Sequence, residues 1–148
     1  MSKLWNSDLE TGIPEIDAEN KKIVEYINVL SKAKDEGNRT ELVNVLDLLL
    51  DHVCNQFLFE EHMMKEAGYE YSKAHEKVHE LFAKKLADFR GRIKNGETFF
   101  DDVISMLDHW VDGHIRNEDQ MYAETLQVKI TQEGGESWVQ GVMKKLFG

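Results

Sequence analysis

His75 and His79 stand four residues apart in the run His75-Glu76-Lys77-Val78-His79. On a helix that spacing puts both imidazoles on one face, one turn apart. The same face continues through Phe82, Leu86, Phe89 and Ile93 in steps of three and four, the seam of a helix packed in a bundle. Both rings therefore sit where core residues belong. Other seams in the chain carry polar residues too: Asn20, Gln56, Glu60 and His114. Asp119 follows His114 by five residues, about 140° further round an α-helix, and reaches the interior from the edge of the seam. A buried, unpaired amide costs roughly 1–3 kcal/mol, and a buried carboxylate more. Two carboxylates and three imidazoles at one level make a poor core by themselves. A divalent cation removes the conflict, because it takes imidazole nitrogen and carboxylate oxygen together and offsets the buried negative charge. Glu60, His75, His79, His114 and Asp119 are thus the candidate metal ligands. His52, His62 and His109 fall outside this convergence by spacing. Cys54 reads as an inert packed thiol, and Met63 and Met64 as core filler.

Four helices must position these residues. Helix A runs over about 15–36, opened by Thr11-Gly12-Ile13-Pro14 and ended by Gly37-Asn38. Helix B runs over about 41–66, with Thr40 as its cap and Gly68-Tyr69 beyond its end. Ser72 caps helix C, which runs to about 94, and helix D covers about 98–126. Residues 1–14 form an extended arm, packed by Trp5, Ile13 and Pro14 across one end of the domain. The fold class is all-α: an antiparallel up-down-up-down four-helix bundle with an N-terminal arm and a short C-terminal helix. The bundle occupies residues 1–130 and an extension occupies 131–148. The extension opens with a polar break, Thr131-Gln132-Glu133-Gly134-Gly135, and continues as an amphipathic helix over Glu136–Phe147. That helix either folds back on the bundle or docks a protein partner or a second copy of the chain.

Composition narrows the function classes. A length of 148 residues suits one domain with a sizeable core. A net charge of −10 argues against nucleic acid and anionic membrane as partners. One cysteine allows neither an intrachain disulfide nor a cysteine-based zinc site. Residues 1–10 contain no apolar run of a signal peptide, and no apolar stretch approaches a membrane span. The expected location is a reducing cytoplasm.

Taken together, these residues resemble the bacterial hemerythrins, four-helix-bundle proteins with a non-haem diiron centre. The resemblance rests on Trp5, Gly12-Ile13-Pro14-x-Ile16-Asp17-x-Glu19, Phe57-x-x-Glu60-Glu61, Met64 and Gly68-Tyr69. It continues through His75-x-x-x-His79-x-x-Phe82 and Trp110-x-x-x-His114-Ile115-x-x-x-Asp119-x-x-Tyr122. It implies that one iron takes His75, His79 and His114, and that Glu60 and Asp119 bridge to a second. It also implies two further histidines on that second iron, the one at which dioxygen binds. This chain has Asn20 and Gln56 at those two positions.

Both departures fall on the same iron, and an amide oxygen is a weak, neutral donor. The expectation is a mononuclear or asymmetric site in which Asn20 and Gln56 hydrogen-bond the carboxylates across the vacated space. His52, one turn before Gln56, is a possible rescue ligand, about 5.4 Å away along the axis. The cofactor expected is iron, one or two ions, with zinc as a substitute because such donors select poorly among late transition metals. The ligand expected is dioxygen or another small diatomic molecule. Reversible carriage needs two irons, so the altered site points to sensing of oxygen, nitric oxide or redox state. Two alternatives stand beside it. One is a diiron oxygen-binding protein with amide ligands. The other is a partner-binding bundle with a vestigial metal site. The chain is not expected to be an enzyme beyond weak oxidase or peroxidase activity of a lone iron.

Overall fold

The computed structural model describes residues 3–132 and 135–147. Among these, every regular element is a helix. A short 3-10 turn, Ser7–Leu9, precedes α1 (Pro14–Asp35), α2 (Arg39–Glu66) and α3 (Ser72–Lys94). The fourth rod is α4 (Phe100–His109), a π-helical segment (Trp110–Glu118) and α5 (Asp119–Gln132) in succession. A last helix, α6, spans Glu136–Phe147. α1 packs on α2 and α4, α2 on α3, and α3 on α4, the neighbours of an antiparallel up-down-up-down bundle.

The helix ends follow from local chemistry. Past α1 the chain turns through Gly37 at φ +67°. Gly37 N–H donates to Lys34 O at 3.0 Å and Asn38 N–H to Ala33 O at 2.8 Å. This pair of bonds closes a helix on a left-handed residue, which glycine adopts without Cβ strain. The same closure recurs past α2 and α3. There Tyr69 N–H reaches Met64 O at 2.9 Å and Glu97 N–H reaches Arg92 O at 3.2 Å. Asn38, not Thr40, caps α2, its Oδ1 accepting from Glu41 N–H at 3.1 Å. Ser72 is the first residue of α3 and makes no capping bond; Tyr71 precedes it. The fourth rod outruns its expected end at 126 and continues through the predicted break at Thr131 to Gln132. Nothing in the side chains Leu126 to Gln132 breaks a helix, and Thr131 Oγ1 bonds back to Gln127 O at 2.9 Å.

The core is divided in two. One apolar cluster contains Ile23, Val53, Phe57, Phe82, Leu107 and Ile115. The other contains Ile16, Phe59, Met63, Met64, Tyr122 and Leu126. Each rod passes from one cluster to the other or ends between them, and Asn20, Gln56, Glu60, His75, His79, His114 and Asp119 are buried on the way. The N-terminal arm runs alongside this layer rather than across one end. Trp5 and Leu9 join the first cluster, Ile13 joins the second, and Pro14 is exposed. Asp17 fixes the arm by accepting from Thr11 N–H at 2.7 Å, Thr11 Oγ1 at 2.8 Å and Gly12 N–H at 3.2 Å. Gly12 has φ +84°, and a Cβ there would meet Gln127 Nε2 at 2.7 Å, so both conformation and space demand glycine.

α6 lies on α2 and α5, burying Val139 and Val142 in the second cluster. Lys145 Nζ meets Glu66 Oε1 at 3.1 Å. α2 is the exception to the expectation that no stretch approaches membrane length. It alone among the described helices holds an 18-residue window apolar enough to span a bilayer. Its interior face contributes core residues together with buried Gln56 and Glu60, which accounts for that hydropathy in a bundle.

Candidate metal centre

α3 delivers His75 and His79, and the fourth rod delivers His114 and Asp119. The ring nitrogens and carboxylate oxygens of these four buried residues include a set lying within 4.8 Å of one another. His79 Nε2 and His114 Nε2 are 3.2 Å apart. Asp119 Oδ1 lies 3.0 Å from His114 Nε2 and 3.3 Å from His75 Nε2. Three imidazole nitrogens and one carboxylate oxygen thus face a common point.

The π segment puts Asp119 there. Asp119 N–H bonds to His114 O, a five-residue closure. In an α-helix Asp119 would stand about 140° round from His114; the wider turn brings it back over His114 on the inner face.

Each ring is aimed from behind. Glu61 Oε2 lies 2.8 Å from His79 Nδ1, and Glu118 Oε2 lies 2.6 Å from His114 Nδ1. Carboxylates in this position fix Nδ1–H and turn Nε2 inward. Phe57 stacks on His79 with centroids 3.9 Å apart, and Trp110 stacks on His114 at 3.8 Å. Two inward lone pairs would then confront each other and Asp119. Burial pushes His114 down, but Asp119 and Glu118 outweigh it and hold the imidazole above its ordinary value. Burial and the charges of His114 and His75 push His79 down to about 2. Asp119, which burial alone would raise, is held low by His114 and His75. His75 Nε2 and Asp119 Oδ1 remain without a well-formed hydrogen bond. A cation would satisfy all four groups, so the residues fit a bound metal.

Glu60 stands apart from the four-residue cluster. Tyr122 Oη donates to Glu60 Oε1, which holds the carboxyl on the side of the second apolar cluster. Burial and the Asp119 charge push Glu60 well above the usual carboxylate range, against the pull of Tyr122 and Gln56. Asn20 and Gln56 meet across the layer, but chiefly each other: Gln56 Nε2 donates to Asn20 Oδ1 at 2.5 Å. The expectation that both amides bond the carboxylates is corrected for Asn20; Gln56 alone also bonds Glu60. His52 is directed elsewhere. Its Nε2 lies 2.9 Å from Glu19 O and 3.2 Å from Glu19 Oε2, so it is outside the cluster. His62 pairs with Glu66 at 3.2 Å, and His109 Nδ1 bonds Ser105 O at 2.8 Å. Cys54 is exposed rather than packed.

Comparison with known proteins agrees with this geometry. The profile of the Hemerythrin HHE cation binding domain matches residues 11–126. The chain belongs to the hemerythrin HHE family. Bacteriohemerythrin of Pseudomonas paraeruginosa strain PA7 is 38% identical, with 98% of this chain and 97% of that protein aligned. Bacteriohemerythrin of Stenotrophomonas maltophilia strain R551-3 is 36% identical over 98% of this chain and 97% of its own. The crystal structure of wild-type hemerythrin superposes with a TM-score of 0.80 at 28% identity, covering 85% of this chain and 98% of that one. The matched span contains every residue of the polar layer and excludes α6.

Glu61, Glu118 and Tyr122 are the hemerythrin-domain residues that sequence reasoning left without a role. A signal for each was present. Glu61 directly follows Glu60, Glu118 stands four residues after His114, and Tyr122 stands three after Asp119.

Proposed function

We propose that this hemerythrin domain holds a single iron ion at His75, His79, His114 and Asp119 and uses it to bind or sense a small ligand or a redox state. The observation that carries this reading is the Asn20–Gln56 pair. Where the family pattern has two histidines, two amides are joined by one hydrogen bond of 2.5 Å that needs no metal. Tyr122 hydrogen-bonds Glu60, and neither amide on the far side of the layer brings a charge or an imidazole nitrogen to a second cation. Iron so bound supplies open coordination positions and a one-electron couple. Around it, this chain's residues have separate tasks. Glu61 and Glu118 orient the imidazoles, Phe57 and Trp110 hold the ring planes, and the two apolar clusters exclude water.

The relatives named bacteriohemerythrin support dioxygen as the ligand class, with nitric oxide as the alternative diatomic. The altered half of the layer favours sensing over reversible carriage, which draws on two irons.

Metal content decides the reading. The purified chain is loaded anaerobically with ferrous iron and analysed for iron per chain, with absorption spectra before and after air. The expected result is one iron per chain without the charge-transfer bands of a bridged diiron pair. Two irons with those bands would overturn it. Retention of zinc with no uptake of iron would assign the site to another metal.

A further inference from the structure

A cleft of about 560 Å³ opens between α1, α2 and α6, on the outer side of the amide pair. Phe59, Met143 and Phe147 give it apolar walls, and Glu15, Glu19, His52, Asn55 and Gln56 give it polar ones, with one Glu19 oxygen 3.2 Å from His52 Nε2. Two of its oxygens are buried and unpartnered: Glu15 Oε2 and Gln56 Oε1. Gln56 is 3% exposed and its Nε2 is committed to Asn20, so the group it has left is an acceptor. Glu15 and Glu19 stand one helical turn apart on α1 and add their carboxylates at the same wall. Among the described residues, no lysine or arginine lines the cleft.

These features specify a ligand by elimination. It must donate hydrogen bonds to match Glu15 Oε2 and Gln56 Oε1, because these two buried oxygens only accept. An anion would meet two carboxylates. A hydrated metal ion would gain nothing from Phe59, Met143 and Phe147. The size lies within the roughly 300–1,000 Å³ of small-molecule clefts. We propose that this cleft binds a small organic ammonium ion, a free protonated primary amine with an aryl or alkyl body. The ammonium has three donors and no acceptor. Its bonds to Glu15 and Glu19 are charge-assisted, and Phe59 and Phe147 offer ring faces that attract a cation. The chain's net charge of −10 raises the local concentration of such an ion. Met143 and Phe147 belong to α6, outside the span of the hemerythrin match, and none of His75, His79, His114 and Asp119 lines the cleft, so the proposal does not rest on iron.

Calorimetric titration of the full chain tests it, using 2-phenylethylamine against 2-phenylethanol and 3-phenylpropionate, analogues of similar size that are neutral and anionic. Saturable one-to-one binding of the amine is expected, with both analogues roughly tenfold or more weaker. Replacing Glu15→Gln with Glu19→Gln should weaken the amine by about tenfold or more, with helix content and iron uptake unchanged. Phe147→Ala, at a half-exposed terminal position, should weaken it independently and leave the fold intact. Equal binding of the alcohol, indifference to both variants, or no saturable heat would each overturn the proposal. Tighter binding of Nα-acetyl-lysinamide than of the arylalkylamine would also overturn it, by assigning the cleft to a lysine side chain of another protein.

Discussion

The buried polar layer has two sides, at similar depth and between the same apolar clusters. On one, His75, His79, His114 and Asp119 are each 6% exposed or less, and carboxylates behind two of the rings drive their lone pairs toward a shared point. On the other, Asn20 and Gln56 are as deeply buried but turn donor to acceptor and close on each other. Burial alone therefore says nothing about metal binding. What differs is the balance of donors and acceptors. A set with too many acceptors calls for a proton or a cation, whereas the amide pair joins one donor to one acceptor and leaves one of each over, Asn20 Nδ2 and Gln56 Oε1, so it carries no such excess.

Four measurements would break or sharpen this contrast. The largest effect is expected from Asp119→Ala, which removes a ligand from the acceptor-rich side and strands His114. Iron uptake should vanish, and the metal-free protein should lose about 3–5 kcal/mol in denaturant unfolding, the cost of breaking a buried ion pair. Uptake at the wild-type level would show that the cluster is not the metal site. Next, Asn20→His with Gln56→His gives the amide side an excess of acceptors like that of the histidine side. Iron per chain should rise from one to two; a stoichiometry of one would mean that something besides the amides excludes the second ion. Glu61→Gln and Glu118→Gln keep every ligand but weaken the orientation of His79 and His114. Each should lower metal affinity by about 10–100-fold in competition with a chelator, with no change in stoichiometry.

The smallest effect concerns the helix that covers the amide side. Burial pushes Glu66 up, but Lys145 and His62 outweigh it and its carboxyl titrates below the ordinary 4.5. A folded value below the unfolded one means that the contribution is present above pH 4.5 and lost as the pH falls through the folded value. Glu66→Gln should therefore lower stability by at most about 0.5 kcal/mol near neutrality, as for an exposed pair. The difference should disappear in acid, and the iron affinity of the histidine side should not move.

Much of this was legible before any coordinates. Periodicity alone placed His75 and His79 on a core face, and Gly37, Gly68 and Gly96 marked the helix ends to within a few residues. The bundle followed from four long seams joined by short, glycine-marked turns. Less legible was the direction of side chains. Glu60 reads as a ligand from its seam position, and its hydrogen bond from Tyr122, on the fourth rod just past Asp119, is not readable from that spacing. His52 shares a face with Gln56, yet bonds Glu19 on the neighbouring helix. Such choices depend on partners distant in the chain, which helical spacing does not encode.

The sequence by itself determined the residue types of the layer and the helices that bear them, because apolar periodicity and capping are local properties of the chain. It also determined that two positions of the hemerythrin pattern are amides, which carries the proposed loss of a second metal. Only the tertiary structure decided how Asp119 is brought beside His114. On an α-helix the two diverge; in the bundle a π-helical segment over Trp110–Glu118 brings them together. The physical reason is that helix winding within the fourth rod is set by what its neighbours require at the core. Here the wider winding lets both His114 and Asp119 face α3, which an unbroken α-helix would not.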